Sequence, residues 1–321
     1  MPATTDETLR SLAAIPNLQV TAGVPLRGCT RFAVGGRAGL LADTPCVESL
    51  ASALRVAKMS GLDWIVIGGG CNLIVADKGF PGIVLRFTAG EISVEGALVT
   101  AEAGAELQAL VDFTIERGLK GLETLTHIPG WVGAAVYGNA GAYGHSISEQ
   151  VAAVTFFDGQ SVRTFSNQEC AFRYRDSVFK RRKDWVVLSI ALRMEPADQV
   201  ELRRIADDIA RIRDQKFPPT MKCAGSVFKN LLLAELPPAA AASVPAAVVR
   251  EGKVAAAWFL EQVGAKGMVR GGIHVADYHA NLIYNAGRGT ARDLCALIRE
   301  LKSRVRFRFG FDLEEEVQYV G

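Results

Sequence analysis

The sequence predicts a mixed fold of α-helices and β-strands in more than one domain, with glycine turns that join strand to strand. Three observations lead there. An apolar run, Trp64-Ile65-Val66-Ile67, reads as a buried strand, ends in Gly68-Gly69-Gly70 and is followed by the short β-branched run Leu73-Ile74-Val75 rather than by a helix. Helical stripes stand apart from it, each with its own stop signal. At 321 residues, the chain exceeds what one small core needs.

In chain order, residues 1–17 are polar and predict a poorly ordered start. Thr44-Pro45 opens a helix, Leu50, Leu54 and Ala57 form its buried stripe and Gly61 closes it. A second helix fits Leu107, Leu110, Val111 and Ile115, with Gly118 as its stop. Residues 121–144 hold six glycines and one formal charge, Glu123. Such a stretch predicts neither a regular helix nor core-filling side chains, but a loop that brings backbone amides up to a large ligand. Strands are predicted at 151–157, 161–165 and 185–194. An amphipathic helix on Leu202, Ile205, Ile209 and Ile212 then leads to a boundary at Lys216-Phe217-Pro218-Pro219. The alanine-rich 237–247 reads as a surface insertion. A last helix, 291–305, is capped by Thr290 with Asp293 three residues on and buries Leu294, Leu297, Ile298, Leu301 and Val305. The run 317–320 is strand-like, and no internal repeat is visible.

Composition narrows the function. Lysine and arginine number 36 against 34 acids, a net charge of +2, so the chain lacks the basic field of a nucleic-acid binder. Its longest apolar stretches are too short to span a membrane, and the acidic start is not a signal peptide. Six cysteines occur without a CxxC pair or a histidine at metal-ligand spacing, which predicts reduced, mostly buried thiols of a cytoplasmic protein and no metal. A Rossmann site requires a helix directly after its glycines, and here a strand follows. What remains is an anion-binding nest in a strand–loop–strand cradle. Such nests are predicted at 68–72 and 130–144, with a third short one at Gly35-Gly36, and together they suit a long, diphosphate-containing cofactor.

Several longer motifs then join these turns. They are Arg31-Phe32-Ala33-Val34-Gly35-Gly36, Ile67-Gly68-Gly69-Gly70-Cys71-Asn72-Leu73, Ile128-Pro129-Gly130 and Gly138-Asn139-Ala140-Gly141-Ala142-Tyr143-Gly144. Further on come Phe172-Arg173-Tyr174-Arg175-Asp176-Ser177-Val178-Phe179-Lys180, Ala224-Gly225-Ser226-Val227-Phe228-Lys229-Asn230 and Glu316-Val317. In this order they resemble the UDP-N-acetylenolpyruvoylglucosamine reductase family over nearly the whole chain. The short gap from Arg175 to Ser226 resembles the branch often called type II, which lacks an extra substrate-domain insertion.

The resemblance implies an α+β fold of the FAD-binding PCMH or vanillyl-alcohol-oxidase type: two α+β subdomains, expected at 18–84 and 85–205, and a substrate-binding domain at 206–312. A C-terminal strand, 313–321, would carry Glu316. It implies FAD as cofactor, NADPH as reductant and a nucleotide-sugar substrate, in a cytoplasmic monomer with no nucleic-acid or membrane partner. The reaction implied is reduction of an enol-ether double bond conjugated to a carboxylate, in the synthesis of the peptidoglycan precursor UDP-N-acetylmuramate.

The same resemblance implies the site residues. Arg175 would stabilise charge on the carboxylate, since a guanidinium grips one through two parallel hydrogen bonds; by spacing alone it would read as a surface arginine beside Arg173, Arg181 and Arg182. Ser226 would deliver the proton, although a serine after Gly225 is otherwise only a small residue in a tight turn. Glu316 would hold the enol intermediate, although Glu314-Glu315-Glu316 is otherwise a solvated acidic run. Tyr174, Lys229 and Asn230 would bind substrate. The cofactor would lie on Gly35, Gly68, Gly69, Gly70, Cys71, Asn72, Leu73, Ile128, Pro129, Gly130, Gly133, Asn139, Gly141, Ala142 and Tyr143. For Asn139 and Tyr143, simple punctuation of the glycine loop is an equal reading. Three positions depart from the family pattern: His127 replaces a glycine, Cys71 a serine and Arg173 a common glycine. Two other functions fit the same fold, a flavin oxidoreductase acting on a sugar or hydroxy acid and a non-catalytic nucleotide-sugar binding protein.

Overall fold

A computed structural model describes residues 5–321. The chain forms two compact units. One holds the residues up to Val24, together with Ala38–Gly70 and Pro81–Gln215; the other holds Pro25–Arg37, Cys71–Phe80 and Lys216–Gly321.

The first unit packs its two largest sheets around a shared hydrophobic core. A four-stranded sheet orders Gln19–Ala22, Ala38–Thr44, Phe80–Phe87 and Trp64–Val66, the last pair running parallel. The helix Val47–Ser60 buries Leu50, Leu54 and Ala57 and ends on Gly61 in the left-handed region, as its stripe and stop predicted. An antiparallel five-stranded sheet orders Val162–Ser166, Val151–Phe157, Val186–Arg193, Leu98–Glu102 and Ile92–Glu95. Against its core packs Leu107–Ile115, with Leu107, Leu110, Val111 and Ile115 buried. The helix Gln199–Lys216 buries only Leu202 and Ala206, and Ile212 on its predicted stripe is exposed.

In the second unit, Val269–Arg270, Ile273–Ala276 and His279–Asn285 form an antiparallel sheet, and Leu231–Leu232, Lys253–Val254 and Val249–Arg250 form another. The helices Ala256–Gln262 and Ala291–Phe309 cover its core. The second of these buries the five residues predicted for it, and Thr290 caps it by accepting from the Asp293 amide at 3.0 Å. The strand Gln318–Val320 runs parallel to Leu73–Val75, so the run after the triple glycine is indeed a strand.

Four expectations are corrected. Thr5–Ala13 is a helix with Leu12 fully buried, where polarity predicted disorder; residues 1–4 of that segment lie outside the described residues. Val132–Tyr137 is a helix inside the glycine-rich 121–144, because Val132, Ala135 and Val136 recur at helical spacing and are buried. The alanine-rich 237–247 is not a mere surface insertion: Pro238–Ala242 is helical and Ala240 belongs to the core of its unit. Only Cys170 and Cys223 of the six free cysteines are buried. Among the described residues, no helix is long and apolar enough to cross a membrane.

Candidate functional site

The residues singled out by sequence fall into clusters within each unit. In the first unit, the chain leaves the strand Trp64–Val66 and turns through Gly68, Gly69 and Gly70, the last with φ of 68°. A Cβ on Gly69 would lie 3.2 Å from the Trp131 indole, and one on Gly68 3.3 Å from the Ala134 Cβ. Glycine therefore lets this turn lie against the start of Val132–Tyr137. Arg86, which grips Asp43 through Nε at 2.7 Å, places its guanidinium 5.8 Å from the Trp131 ring.

The fit of a diphosphate can be judged from this turn. The amides of Gly68 and Gly70 donate to no other described residue, and residues 64–76 carry no charged side chain. Amides without a protein acceptor, in a stretch free of acids, suit an anion. The residues present fit the pyrophosphate of a flavin dinucleotide.

Other glycines are fixed by the protein itself. A Cβ on Gly35 (φ 120°) would stand 2.6 Å from the Val75 Cβ, one on Gly133 2.8 Å from the Ala103 Cβ, and one on Gly141 2.4 Å from the His145 carbonyl oxygen. Chain packing is sufficient to require glycine at these three positions.

The loop after Val132–Tyr137 is tied to the segment carrying Arg175. Arg175 Nη2 donates to the Gly141 carbonyl at 2.7 Å, and its guanidinium lies 5.0 Å from the Tyr174 ring. Asn139, itself buried, donates from Nδ2 to the Arg173 carbonyl at 2.9 Å. Ser177 Oγ donates to the Tyr137 carbonyl at 2.8 Å, while Lys180 Nζ donates to the Arg175 carbonyl at 2.9 Å. The Tyr137 hydroxyl is pushed above its ordinary pKa by burial and by the nearby Asp176.

Backbone strain concentrates here. Eight described non-glycine residues have φ between 43° and 60°, and five of them are His127, Asn139, Tyr143, Ala171 and Arg175. Asparagine and histidine are the better tolerated there, but tyrosine and arginine adopt that region only when their surroundings insist. His127 is held by two contacts: its amide donates to Gln108 Oε1 at 2.6 Å and its Nδ1 lies 2.8 Å from Asp214 Oδ1. His127 thus holds a left-handed backbone of the kind that glycine adopts without strain. Next to it, the Gly130 carbonyl accepts from the Leu107 amide at 2.9 Å, and the Ile128 amide donates to Leu125. Tyr143 and Tyr174 are exposed.

In the second unit, residues 226–229 form an extended strip with a partner on each side. Ser226 bridges Leu282, and the Val227 amide donates to the Asn281 carbonyl at 3.1 Å. On the other side, the Glu316 amide donates to the Val227 carbonyl at 2.8 Å, and the Lys229 amide donates to the Glu314 carbonyl at 2.9 Å. Asn72 joins the same edge: its Nδ2 donates to the Glu316 carbonyl at 2.9 Å, and its carbonyl accepts from the Gln318 amide at 2.9 Å.

The acidic run is flanked by the buried Leu313 and Val317. Lys229 pairs with Glu314, and Lys302 pairs with Glu315 at 2.7 Å. Two of the three consecutive glutamates thus have lysine partners, which explains how an acidic run packs onto a sheet edge. The structure brings Ser226, Lys229, Asn72 and Glu316 together within this unit. Asn230 instead accepts from the Ala256 amide at 3.3 Å through its Oδ1. Sequence reasoning missed Asn281, which is buried and clamps the Phe228 backbone; one amide amid Ala280, Leu282 and Ile283 was its only signal.

The C-terminal domain of UDP-N-acetylenolpyruvoylglucosamine reductase matches residues 217–320, and an FAD binding domain matches residues 45–164. The reductase of Solibacter usitatus is 63% identical over 97% of this chain and 99% of its own length. That of Bacillus subtilis is 32% identical over 94% of each. Among solved structures, the reductase from Thermus caldophilus superposes with a TM-score of 0.75 at 29% identity, covering 95% of this chain and all of the other. The chain belongs to the UDP-N-acetylenolpyruvoylglucosamine reductase family, with an FAD-binding domain of the PCMH type in an α+β fold.

Proposed function

We infer that the protein reduces UDP-N-acetylglucosamine enolpyruvate to UDP-N-acetylmuramate, with FAD as cofactor and NADPH as reductant, in peptidoglycan precursor synthesis. The observation that carries this reading is the Ser226–Lys229 strip paired with Glu314–Glu316, in a chain whose relatives bear the reductase name over their full length. When bound, FAD supplies the two-electron relay between the nicotinamide and the double bond.

The protein's own residues bind, orient and deliver the proton. Amides of Gly68, Gly69, Gly70, Cys71, Asn72 and Leu73 hold the cofactor's diphosphate region, helped by Ile128, Pro129, Gly130, Gly133, Asn139, Gly141, Ala142 and Tyr143. Arg175 stabilises the charge that spreads into the substrate carboxylate as the double bond is reduced. The Ser226 hydroxyl gives its proton to the carbon bearing that carboxylate, a strongly basic acceptor that makes a poor acid sufficient. Glu316 holds the enol form, while Tyr174, Lys229 and Asn230 bind the sugar nucleotide. In this reading 18–84 and 85–205 are the FAD-binding subdomains, 206–312 binds substrate and 313–321 carries Glu316. The protein works as a cytoplasmic monomer without nucleic acid or membrane.

Half-reactions test the assignment. Purified protein should be yellow, bleach with NADPH and recover colour when the enolpyruvate substrate is added. Ser226→Ala should bleach normally and recover about 10²–10⁴-fold more slowly. Equal loss of both half-reactions removes Ser226 from its role, and colourless protein that FAD cannot reconstitute sinks the whole reading.

A further inference from the structure

Asn281 lies in the strand His279–Asn285, is 2% exposed, and has every polar group engaged. Its amide N–H donates to His279 Nδ1 at 3.1 Å, and its carbonyl accepts from Val227. Its side chain makes a two-point clamp on one residue: Oδ1 accepts from the Phe228 amide at 2.9 Å and Nδ2 donates to the Phe228 carbonyl at 2.8 Å. The ordinary ladder between 226–229 and His279–Asn285 reaches only as far as Val227; beyond it, the Asn281 carboxamide replaces the missing backbone partner. Val227 and Phe228 are fully buried, so these groups have no recourse to water.

The clamp matters because of what the strip carries on either side. Ser226 is two residues before Phe228, immediately after Gly225, whose φ of 76° and empty surroundings give the chain a pivot. Glu316 is pinned to Val227, between the two. Without the carboxamide, Phe228 would leave its place and carry the Val227 carbonyl, and with it both the Ser226 and Glu316 backbones.

We propose that Asn281 is a positioning residue for the reduction, fixing Ser226 and Glu316 in register by holding Phe228 through both of its backbone groups. This deepens the reading in which Ser226 delivers the proton, and rests on it.

The test uses the full-length, FAD-loaded protein and follows each half-reaction by stopped-flow absorbance. Asn281→Ala removes the clamp; Asn281→Asp, of the same shape, keeps an acceptor but loses the donor to the Phe228 carbonyl, and serves if the alanine variant does not fold. Either should slow recovery by the enolpyruvate substrate about 100-fold, the scale for a misplaced reacting group, while bleaching by NADPH stays within about twofold of wild type. The solvent deuterium isotope effect on recovery should rise, as proton delivery becomes the slow step. In a Ser226→Ala background, Asn281→Asp should add less than about threefold, because the residue it positions is already gone. Parallel loss of both half-reactions, or full multiplication of the Asn281 and Ser226 effects, overturns the proposal alone and marks Asn281 as merely structural. Normal recovery in Ser226→Ala instead overturns the Ser226 assignment, and the proposal falls with it.

Discussion

Asp77 caps a helix 214 residues away in sequence: its Oδ1 accepts from the Ala291 amide at 2.8 Å, and its Oδ2 accepts from the Arg292 amide at 2.9 Å. The first turn of Ala291–Phe309 thus has a carboxylate on its orphan amides besides the Thr290 hydroxyl on Asp293. Asp77→Ala should cost about 1–2 kcal/mol in a denaturant titration, and Asp77→Asn less. A midpoint unchanged from wild type would show that the local Thr290 cap suffices.

Two glycines separate packing from binding. Gly35→Ala forces a Cβ to 2.6 Å from Val75 at a φ of 120°, and should destabilise by roughly 3 kcal/mol or more. Gly68→Ala presses no closer than 3.3 Å, on the Ala134 methyl, and should cost less than about 1 kcal/mol. It should nevertheless weaken FAD binding about tenfold or more, read by flavin fluorescence on titration into apoprotein. Equal flavin affinity in Gly68→Ala and wild type would remove the 68–70 turn from the cofactor site.

His127 offers a sign test. Its φ of 60° costs about 1 kcal/mol, whereas its exposed pairing with Asp214 contributes about 0.2–1 kcal/mol. His127→Gly relieves the strain and should melt slightly above wild type. His127→Ala keeps the strain, loses the pairing and should melt below. Both variants melting below wild type would mean that the Asp214 contact dominates.

Acid should unfold the second unit through His279. Burial, with Lys216 nearby, lowers its pKa to about 4 from the ordinary 6.5, and its Nδ1 accepts from the Asn281 amide, which requires an unprotonated nitrogen. The unfolded chain binds the proton first, so stability should be full above about pH 6.5 and fall as pH drops toward 4. After discounting for partial exposure, the loss is on the order of 2 kcal/mol. His279→Gln should flatten this slope; an unchanged slope would assign it to other groups.

Local chemistry made much of this protein legible in its sequence. The stripe Leu50, Leu54 and Ala57 with Gly61 named its helix, and the β-branched run after Gly70 excluded a dinucleotide helix there, as the strand Leu73–Val75 bears out. The helix Val132–Tyr137 was hidden because glycines dominate its surroundings, although its own small apolar residues suffice for six positions. Gly35 and Gly68 look alike as letters, and only what an added Cβ would meet, the Val75 side chain at 2.6 Å or the Ala134 methyl at 3.3 Å, tells them apart. Asn281 and Asp77 were invisible for another reason. Each acts on backbone more than 50 residues away, and no local pattern records which distant amide a carboxamide or carboxylate will meet.

The edge where Asn72 meets Glu316 joins positions 244 residues apart, and the parallel pairing of Leu73–Val75 with Gln318–Val320 continues it. A chain made from its N-terminus cannot complete that edge until the residues near 320 have left the ribosome. The strand Leu73–Val75 therefore lacks its parallel neighbour until that stretch emerges. The second unit thus closes on the strand Gln318–Val320, which is made long after the glycine turns that precede its partner.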